Sequence, residues 1–443
     1  MADDAFRKKR RHEHGEEDQR DEFQRDRDRI LYSTAFRRLE GVTQIVRAGE
    51  SDIFHDRFVH SVKVAQVGRR LAEHCKQKQS RIAKRHGLDA EVVEAACLAH
   101  DLGHPPFGHI GEETLNRILT RKDIGGECLD PEGFEGNAQS FRIVTKLAVR
   151  FSWCNGLNLT RATLGALLKY PWARDISTKK KGSIKSKKWG YYNSEKEDFD
   201  FCREGLNRDA KTLEAEMMDW ADDISYSVHD LEDFHRCNHI PWTQIFGDRP
   251  PDRDRLVENT IKNWQDAPGN APQRINDAYE RLSKRFAFST EIYNAYEGTR
   301  EQRLAIRTLT STLIGRYVQE TGLADSMQRK KRIILQNDEH QDEIRLLKQI
   351  TMDYILSSPS LAAQQRGHIK IIEHLFEEFI DEIKSEKPMV LPRRFHHLLR
   401  KSDDTPGRIA ADCIASLTEG EAIALHRRLN GTSGGSVLDP IVR

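Results

Sequence analysis

His100–Glu113 reads HDLGHPPFGHIGEE. An adjacent histidine and aspartate open the stretch, and two more histidines and two glutamates follow among glycines and prolines. Imidazole and carboxylate together are ligands that suit a hard-to-borderline divalent metal ion. The other histidines and Glu112 can act as acids, bases or phosphate contacts. This stretch therefore predicts a metal-assisted hydrolytic site.

The segments around this stretch have helical periodicity. Residues 91–100 (EVVEAACLAH) form an apolar run that ends where glycine and prolines follow Asp101. Apolar residues also recur at helical spacing in 58–72, 159–170 and 213–234, and strand signals are scarce. These patterns predict a mainly α protein.

Composition excludes several classes of protein. The 71 Lys and Arg residues nearly balance the 70 Asp and Glu residues, so overall charge does not predict nucleic-acid binding. The seven widely spaced cysteines form no C-x-x-C pair, which is typical of reduced thiols in the cytoplasm. The charged N-terminus has no signal-peptide core, and no apolar run approaches membrane length. We therefore predict a cytoplasmic protein without a membrane association.

A metal ion that keeps positions open for water and substrate needs about three or four protein ligands. His100 and Asp101 supply two, although adjacent helical residues point about 100° apart. Both can reach one ion where a helix ends, and Gly103 is consistent with such an end. A lone histidine on an apolar helix, such as His60, is more often a hydrogen-bonded core residue. With the His-Asp pair downstream, we predict that His60 is a ligand.

An acidic ligand is expected from another helix. Asp222, Tyr226 and Asp230 are spaced i, i+4 and i+8, so they share one helix face. An amphipathic helix would carry leucine there, and the polar stripe beside Met218 and Ile224 predicts a polar cavity. An exposed acidic face is the alternative, because other acids lie nearby.

Three segments lie outside this helical pattern. Residues 1–29 are charged in both signs and predict a solvated arm that becomes helical near its end, with a subunit-contact or nucleic-acid arm as the alternative. Residues 171–201 predict a mobile basic loop or short hairpin, either with solvated lysines or as a flap over an anionic ligand. Residues 241–272 are rich in Pro, Asp and Asn and predict a boundary. The predicted regions are the arm (1–29), a core with the basic loop (30–240) and a C-terminal helical region (241–443). The lysines of the loop are Lys179, Lys180, Lys181, Lys185, Lys187 and Lys188.

An upstream helical histidine, an adjacent His-Asp pair and a later aspartate resemble the signature of the HD phosphohydrolase superfamily. The flanking sequence resembles, over nearly the whole chain, the deoxyguanosine triphosphate triphosphohydrolases. The similar blocks are DRDRILYSTAFRRLEGVTQIV (26–46), HDLGHPPFGHIGEE (100–113), GFEGNAQSFRI (133–143), LLKYPW (167–172), ADDISYSVHDLED (221–233) and RIAADCIASLT (408–418).

The resemblance implies an HD-domain helical core with additional C-terminal helices. It implies hydrolysis of a deoxynucleoside triphosphate (dNTP), with dGTP favoured, to deoxynucleoside and inorganic triphosphate. It also implies one divalent ion, Mn or Mg before Fe, Co or Zn. The expected assembly is a homo-oligomer, a tetramer or hexamer, with a dNTP or single-stranded DNA as a possible effector.

The resemblance also implies residue roles. The metal ligands would be His60, His100, Asp101 and Asp222. His109 and Glu112 would handle the attacking water and protons, and His104 would contact phosphate or take part in catalysis. Lys169 would bind phosphate, and Tyr226 and Asp230 would read the deoxyribose and its 3′-hydroxyl. Gln44 and Arg57 would contact sugar or base, and Asn137 and Lys188 would complete the substrate site.

Two places depart from the family pattern. Ser416, Leu417 and Glu419 stand where members of the family often carry Gly, Met and Asp, and residues 171–201 match no pattern. These departures leave base preference and regulation open.

Two other functions remain open from the sequence. The first is another HD phosphohydrolase, acting on nucleoside monophosphates, cyclic nucleotides or (p)ppGpp. The second is a non-catalytic nucleotide sensor or nucleic-acid-binding assembly. Because G-x-x-x-x-G-K-[ST] is absent, the sequence does not predict a P-loop enzyme.

Overall fold

A computed structural model gives the architecture of the chain. The described residues are 4–13, 19–44, 55–122, 126–177, 183–206, 209–288, 290–325, 333–356, 358–401 and 404–433. Predictions for Lys179, Lys180 and Lys181 lie outside these residues.

Helices dominate the described residues, so the prediction of a mainly α fold is confirmed. Two short strands, β1 (Gly322–Leu323) and β2 (Ile334–Leu335), pair antiparallel. The α-helices are α1 (Asp4–Lys8), α2 (Glu22–Leu31), α3 (Thr34–Arg38), α4 (Arg57–Lys78), α5 (Ser80–His86), α6 (Ala90–Ala99), α7 (Gly108–Thr120), α8 (Gly136–Arg142), α9 (Arg161–Leu167), α10 (Ile184–Lys187), α11 (Lys196–Arg203), α12 (Leu213–Arg236), α13 (Trp242–Phe246), α14 (Arg253–Lys262), α15 (Ala271–Phe286), α16 (Arg300–Gln319), α17 (Asp338–Thr351), α18 (Pro359–Lys384), α19 (Leu398–Lys401), α20 (Pro406–Ala415) and α21 (Glu419–Leu429).

The centre of the fold is a set of three helices. α4, α6 and α12 pack against one another, and α2 and α9 cover the other sides of α6. α6 is apolar nearly all round, as expected for a helix enclosed by others. Gly68 permits a close approach, because a Cβ there would lie 2.5 Å from Cys97 Sγ of α6. This packing brings together the first turn of α4, the C-terminal end of α6 and the middle of α12, and the candidate site lies there.

A second apolar cluster joins the C-terminal helices to the site. α18 packs on α7, α20 and α21, and α20 also contacts α7. The cluster combines Phe107, Leu115 and Phe134 with residues between Ile372 and Leu425. The other large cluster runs from Phe23 to Ile355, so helices on both sides of residue 240 contribute to it. The domain boundary predicted there stays a prediction.

The N-terminal segment packs on the core where it is described. Arg10 donates to Asp26 at 2.6 Å and to the carbonyl of Asn158 at 2.5 Å, and Asp26 accepts from the backbone and hydroxyl of Thr160. Arg29 donates to the same Asn158 carbonyl. The prediction of a solvated arm was therefore wrong for these residues. Charged side chains can be buried when they pair with each other and with backbone carbonyls.

The described residues of the segment 171–201 (171–177 and 183–201) do not form a hairpin. Its described ends meet in a single parallel bridge between Ala173 and Tyr191, with α10 between them, so the hairpin prediction was wrong. Trp189 and Tyr192 are buried and anchor the returning chain. Burial of these rings brings Lys188, which precedes Trp189, to the candidate site.

The helix before this segment is shorter than predicted. α9 ends at Leu167, and Leu168 leaves helical geometry with ψ of 80°. Pro171 disfavours a helical conformation at Tyr170, and the chain bends here, with the N–H of Trp172 donating to the carbonyl of Tyr170 at 2.8 Å. Lys169 therefore lies beyond the helix rather than on it, and its side chain points back toward α12.

Among the described residues, no helix combines the length and the apolar character that crossing a membrane would require.

Candidate active site and metal centre

The four predicted metal ligands lie together. Ligand atoms of His60, His100 and Asp101 all lie within 4.8 Å of one another. Oδ1 of Asp222 lies 3.2 Å from Nε2 of His60 and 3.7 Å from Nε2 of His100. Ligands that share an ion at about 2.0–2.2 Å lie roughly 3–4.5 Å apart, so the spacing fits one divalent ion.

His100 has the orientation of a ligand. As the C-cap of α6, it directs Nδ1 to the carbonyl of Cys97 at 2.6 Å. That contact leaves Nε2 facing the cluster, buried and without a hydrogen-bond partner among the described residues. A buried nitrogen without a partner is costly unless something binds it. The donor set and this nitrogen therefore both fit a divalent metal.

A second cluster lies beside the first. Nδ1 of His109 is 3.4 Å from Oε2 of Glu112, both on α7, as predicted from their i, i+3 spacing. His104 lies between the clusters, with Nδ1 3.1 Å from Asp101 and Nε2 3.8 Å from Glu112. Polar side chains thus lead from the metal ligands to the His109–Glu112 pair.

Two backbone features position the loop between α6 and α7. Gly103 packs against the start of α8, where a Cβ would lie 2.1 Å from the carbonyl of Gly136. Phe107 and Gly108 both have positive φ, of 67° and 57°, and α7 begins at Gly108. Positive φ is unusual for a bulky residue, so surrounding contacts must hold Phe107 in place.

Three cationic side chains surround the clusters. Arg57 donates to Asp101 at 2.5 Å, and its Nε and Nη2 are buried with no hydrogen-bond partner among the described residues. Lys169 lies 3.0 Å from both Asp219 and Asp222. Lys188 lies 2.8 Å from Glu112 and 2.9 Å from Glu135. Lys169 contacts α12, whereas Lys188 contacts α7 and the start of α8. The two lysines therefore approach the clusters from different sides.

The cations keep buried carboxylates ionised. Burial alone raises the pKa of Asp101, but nearby His100, Arg57 and His104 outweigh it and hold the pKa well below its usual range. Burial likewise opposes a lowered pKa for Glu112, and the His109 hydrogen bond and the Lys188 charge prevail. Burial and the charge of Arg57 lower the pKa of His104 to about 4, so this ring is neutral near pH 7.

The predicted sugar-binding residues follow the metal ligand along α12. Tyr226 is half-buried, with Lys348 Nζ 5.6 Å from the centre of its ring. Asp230 is buried, its Oδ2 has no hydrogen-bond partner among the described residues, and burial with the charges of Asp233 and Asp222 raises its pKa well above the usual value. These groups face inward. This side of α12 is therefore not the exposed acidic face that the sequence left open as an alternative.

Gln44 and Asn137 lie at the edges of the candidate site. Gln44 is half-buried, with a buried Oε1 that has no partner among the described residues, and it follows Thr43, whose carbonyl approaches Gly108. Asn137 Nδ2 donates to Glu135 Oε1 at 2.8 Å. The structure thus relates Asn137 to the site through Glu135 and shows no direct contact with the metal ligands.

Two acids at the site were not singled out from the sequence. Glu135 caps α8 and is the partner of Lys188, and Asp219 lies one turn before Asp222 and is a partner of Lys169. Only the i, i+3 spacing of Asp219 and Asp222 could have indicated the latter. Glu135 carried no local signal, because its partner is 53 residues away.

Comparison with known proteins agrees with this geometry. Residues 57–227 match the family model of the HD domain, and residues 334–428 match that of a phosphohydrolase-associated domain. Proteins named deoxyguanosinetriphosphate triphosphohydrolase-like protein are similar over most of their length. The relative from Streptomyces coelicolor is 35% identical, covering 92% of this chain and 92% of its own. Those from Bifidobacterium longum and Corynebacterium efficiens are 34% and 33% identical, covering 91% and 95% of this chain and 82% and 94% of their own.

A solved structure of a hypothetical protein from Aquifex aeolicus is 15% identical over 82% of this chain and 79% of its own, with a TM-score of 0.20, too low to support a conclusion. The two family matches confirm the predicted HD core with further C-terminal helices. On these full-length similarities, the chain belongs to the deoxyguanosinetriphosphate triphosphohydrolase-like family of HD-domain phosphohydrolases.

Proposed function

We propose that this protein hydrolyses dNTPs, with dGTP favoured, to deoxynucleoside and inorganic triphosphate. The observation that carries the proposal is the placement of the His109–Glu112 pair beside His60, His100, Asp101 and Asp222, connected by His104. Names of the relatives support the choice of a deoxyguanosine nucleotide.

The four ligands would hold one divalent ion, Mn or Mg in the first instance, which polarises a phosphoryl oxygen when bound. His109 would accept a proton from the water that attacks the α-phosphorus. The bond from this phosphorus to the 5′-oxygen would break, and the 5′-oxygen would leave with a proton as the hydroxyl of the deoxynucleoside. Glu112 orients the imidazole through Nδ1, which leaves Nε2 for the water. Its ionised carboxylate would also stabilise the imidazolium that forms.

Arg57, Lys169 and Lys188 would neutralise the triphosphate. Each is paired with carboxylates here, and a chain of phosphates offers the same cations more negative charge. Arg57 also has two buried nitrogens with hydrogens to donate. Positioning and charge neutralisation are what phosphoryl transfer mainly requires.

Selection for deoxyribose is assigned to α12. Tyr226 would pack beneath C2′ and exclude a 2′-hydroxyl, and Asp230 would bond the 3′-hydroxyl. Gln44 and Asn137 would complete the nucleoside contacts from the two edges of the site.

Product analysis of the purified protein with each dNTP and Mn²⁺ or Mg²⁺ tests the proposal. Anion exchange with mass spectrometry should find deoxynucleoside and intact triphosphate. Monophosphate or pyrophosphate would instead indicate a different phosphohydrolase. An absence of turnover with mixed dNTPs and added single-stranded DNA would favour a sensor or binding function.

We also propose that the protein is a homo-oligomer, a tetramer or hexamer, with a dNTP or single-stranded DNA as effector. Light scattering after gel filtration, with and without these additives, measures the assembly.

A further inference from the structure

The turn before α7 sets the direction of the helix that carries His109 and Glu112. Phe107 adopts φ of 67° and ψ of 17°, a left-handed conformation that a bulky L-residue rarely adopts. A backbone held in such a conformation needs contacts that compensate the strain. Those contacts come from residues far away in the chain.

Glu419 provides hydrogen bonds to two backbone segments at once. Its Oε1 accepts from the backbone N–H of Phe107 at 3.0 Å and of Thr43 at 2.9 Å. Its Oε2 accepts from the Thr43 hydroxyl at 2.7 Å. The side chain is 2% exposed, so water does not compete for these bonds. One carboxylate therefore ties the turn before His109 to the segment that carries Gln44.

Two further side chains hold the same loop, one from α18 and one from α3. His368 of α18 stacks on the ring of Phe107, with centroids 4.0 Å apart and an interplanar angle of 10°. Arg38 donates to the carbonyls of Leu102 and His104 at 2.8 Å and to that of Leu417 at 3.1 Å. The loop is thus fixed at its start, its middle and its end.

We propose that Glu419 is a positioning residue of the hydrolytic site, an inference that rests on the proposed function. Through the Phe107 N–H it fixes the first turn of α7, and hence the separation of His109 and Glu112 from the metal ligands. Through Thr43 it sets the approach of Gln44. Misplacement of a reacting group by about 1 Å can cost about a hundredfold in rate, so a bond at this turn matters for turnover.

The role needs a hydrogen-bond acceptor rather than a charge. Both backbone N–H groups use the same oxygen of Glu419. A glutamine keeps that oxygen, and its amide nitrogen can donate to the Thr43 hydroxyl instead. Glu419→Gln should therefore function, whereas Glu419→Ala removes all three bonds.

The matched control is Glu421→Ala. Glu421 lies on the same helix and closes its capping box with Thr418 at 2.8 Å, without contacting the Phe107 turn. It measures the effect of a weakened α21 together with the loss of one negative charge near Arg38.

The test compares kcat, KM and hydrogen exchange of the peptide 102–112 in the full-length protein. Glu419→Ala should lower kcat by roughly 10- to 100-fold. It should speed exchange in this peptide by about five- to tenfold, the effect of one lost hydrogen bond. Glu419→Gln should restore both to within about threefold of wild type, and Glu421→Ala should change neither. Equal losses in the Gln and Ala variants, or equal losses in the two Ala variants, would overturn the proposal.

A second pair of variants, at His368, tests the proposal if Glu419→Ala does not fold. His368→Ala should lower kcat and speed exchange of 102–112 in the same direction, and His368→Phe, which preserves the stacked ring, should restore both. An unchanged exchange rate in His368→Ala contradicts the inference that C-terminal contacts position this turn. If wild-type protein hydrolyses no dNTP, the proposed function fails, and the exchange data still decide the role of Glu419.

Discussion

The two ring nitrogens of His100 have different partners, and this difference prepares the residue for a metal. Nδ1 faces the carbonyl of Cys97, and Nε2 faces His60 and Asp222. A backbone acceptor fixes the tautomer and ring orientation before any ion arrives. The cluster is therefore preorganised by the end of α6 itself.

Substitution of Asp222 tests the metal site, and the neighbouring Asp223 provides the control. Asp222→Asn removes a negative ligand, so the protein should lose its divalent ion on dialysis and turnover should fall by more than about a hundredfold. Asp223→Asn alters an acid that pairs with Lys348 instead, and it should retain both. Metal content by mass spectrometry and kcat are the measurements. Full metal content and activity in Asp222→Asn would contradict the assignment.

Substitution of His109 separates an effect on the catalytic rate from an effect on metal binding. Its side chain is 68% exposed, so His109→Ala should scarcely affect folding. Metal content should stay at the wild-type level while kcat falls by about 10²–10⁴-fold. Glu113→Ala, an exposed neighbour on α7, is the control and should keep its activity. A fully active His109→Ala protein would show that another group activates the water.

At the scale of elements, α12 combines function and stability along one helix. Asp219, Asp222, Tyr226 and Asp230 lie along the side of this helix that faces the site, and His235 is buried at its C-terminal end. A charged histidine usually stabilises a helix C-terminus. Here Trp242 donates its Nε1–H to Nδ1 of His235, so the ring is bound in its neutral form.

His235 makes stability depend on pH. Burial and the charge of Arg236 lower its pKa from 6.5 to about 4 in the folded state. Between these values the unfolded chain binds more protons, so stability falls as pH drops from 6.5 toward 4 and is fully retained above 6.5. From pH 8 to 5 this residue should reduce the free energy of unfolding by about 2 kcal/mol.

His235→Gln keeps an acceptor for Trp242 and loses the titrating group. Its loss of stability between pH 8 and 5, from urea unfolding, should be smaller than that of wild type by that amount. The exposed His239→Gln is the control and should follow the wild type. Identical pH dependence in His235→Gln and wild type would contradict the prediction.

At the scale of the whole molecule, a buried ionic cluster joins the region before residue 240 to the C-terminal helices. Arg142 at the end of α8 is fully buried and lies 2.7 Å from Glu195, 2.8 Å from Asp404 and 2.7 Å from Asp412. α20, which carries Asp412, also packs against α7. The C-terminal helices are thus bound to the helices that form the site.

Arg142→Ala would leave three carboxylates buried without this cation. The free energy of unfolding should fall by about 3–5 kcal/mol, measured as a shift in the urea midpoint. The exposed Arg150→Ala should change it by less than about 0.5 kcal/mol. Equal midpoints for the two variants would mean that the cluster does not stabilise the fold.

Local patterns in the sequence predicted local structure well. The His-Asp pair at a helix end, the i, i+3 spacing of His109 and Glu112 and the stripe on α12 all correspond to observed geometry. The charge pattern of residues 1–29, however, predicted a solvated arm, because it does not reveal that a charged side chain such as Arg10 is buried by pairing.

Long-range contacts could not be predicted from one chain. Glu135 and Glu419 act through partners that are remote in sequence, and nothing in their neighbours indicates which backbone N–H or lysine each will meet. The departure at Glu419 was visible, whereas its contact with Phe107 required the fold.

The contact between Phe107 and Glu419 spans 312 residues, which has a consequence for synthesis. Ribosomes add about 5–20 residues per second, so about 15 to 60 s separate the two ends of this hydrogen bond. His60, His100 and Asp101 are made before that interval begins and Asp222 is made within it, while the turn before His109 still lacks its acceptor. A nascent chain can thus assemble its metal ligands before its acid–base pair is held in place. The turn gains its acceptor only after Glu419 has been made.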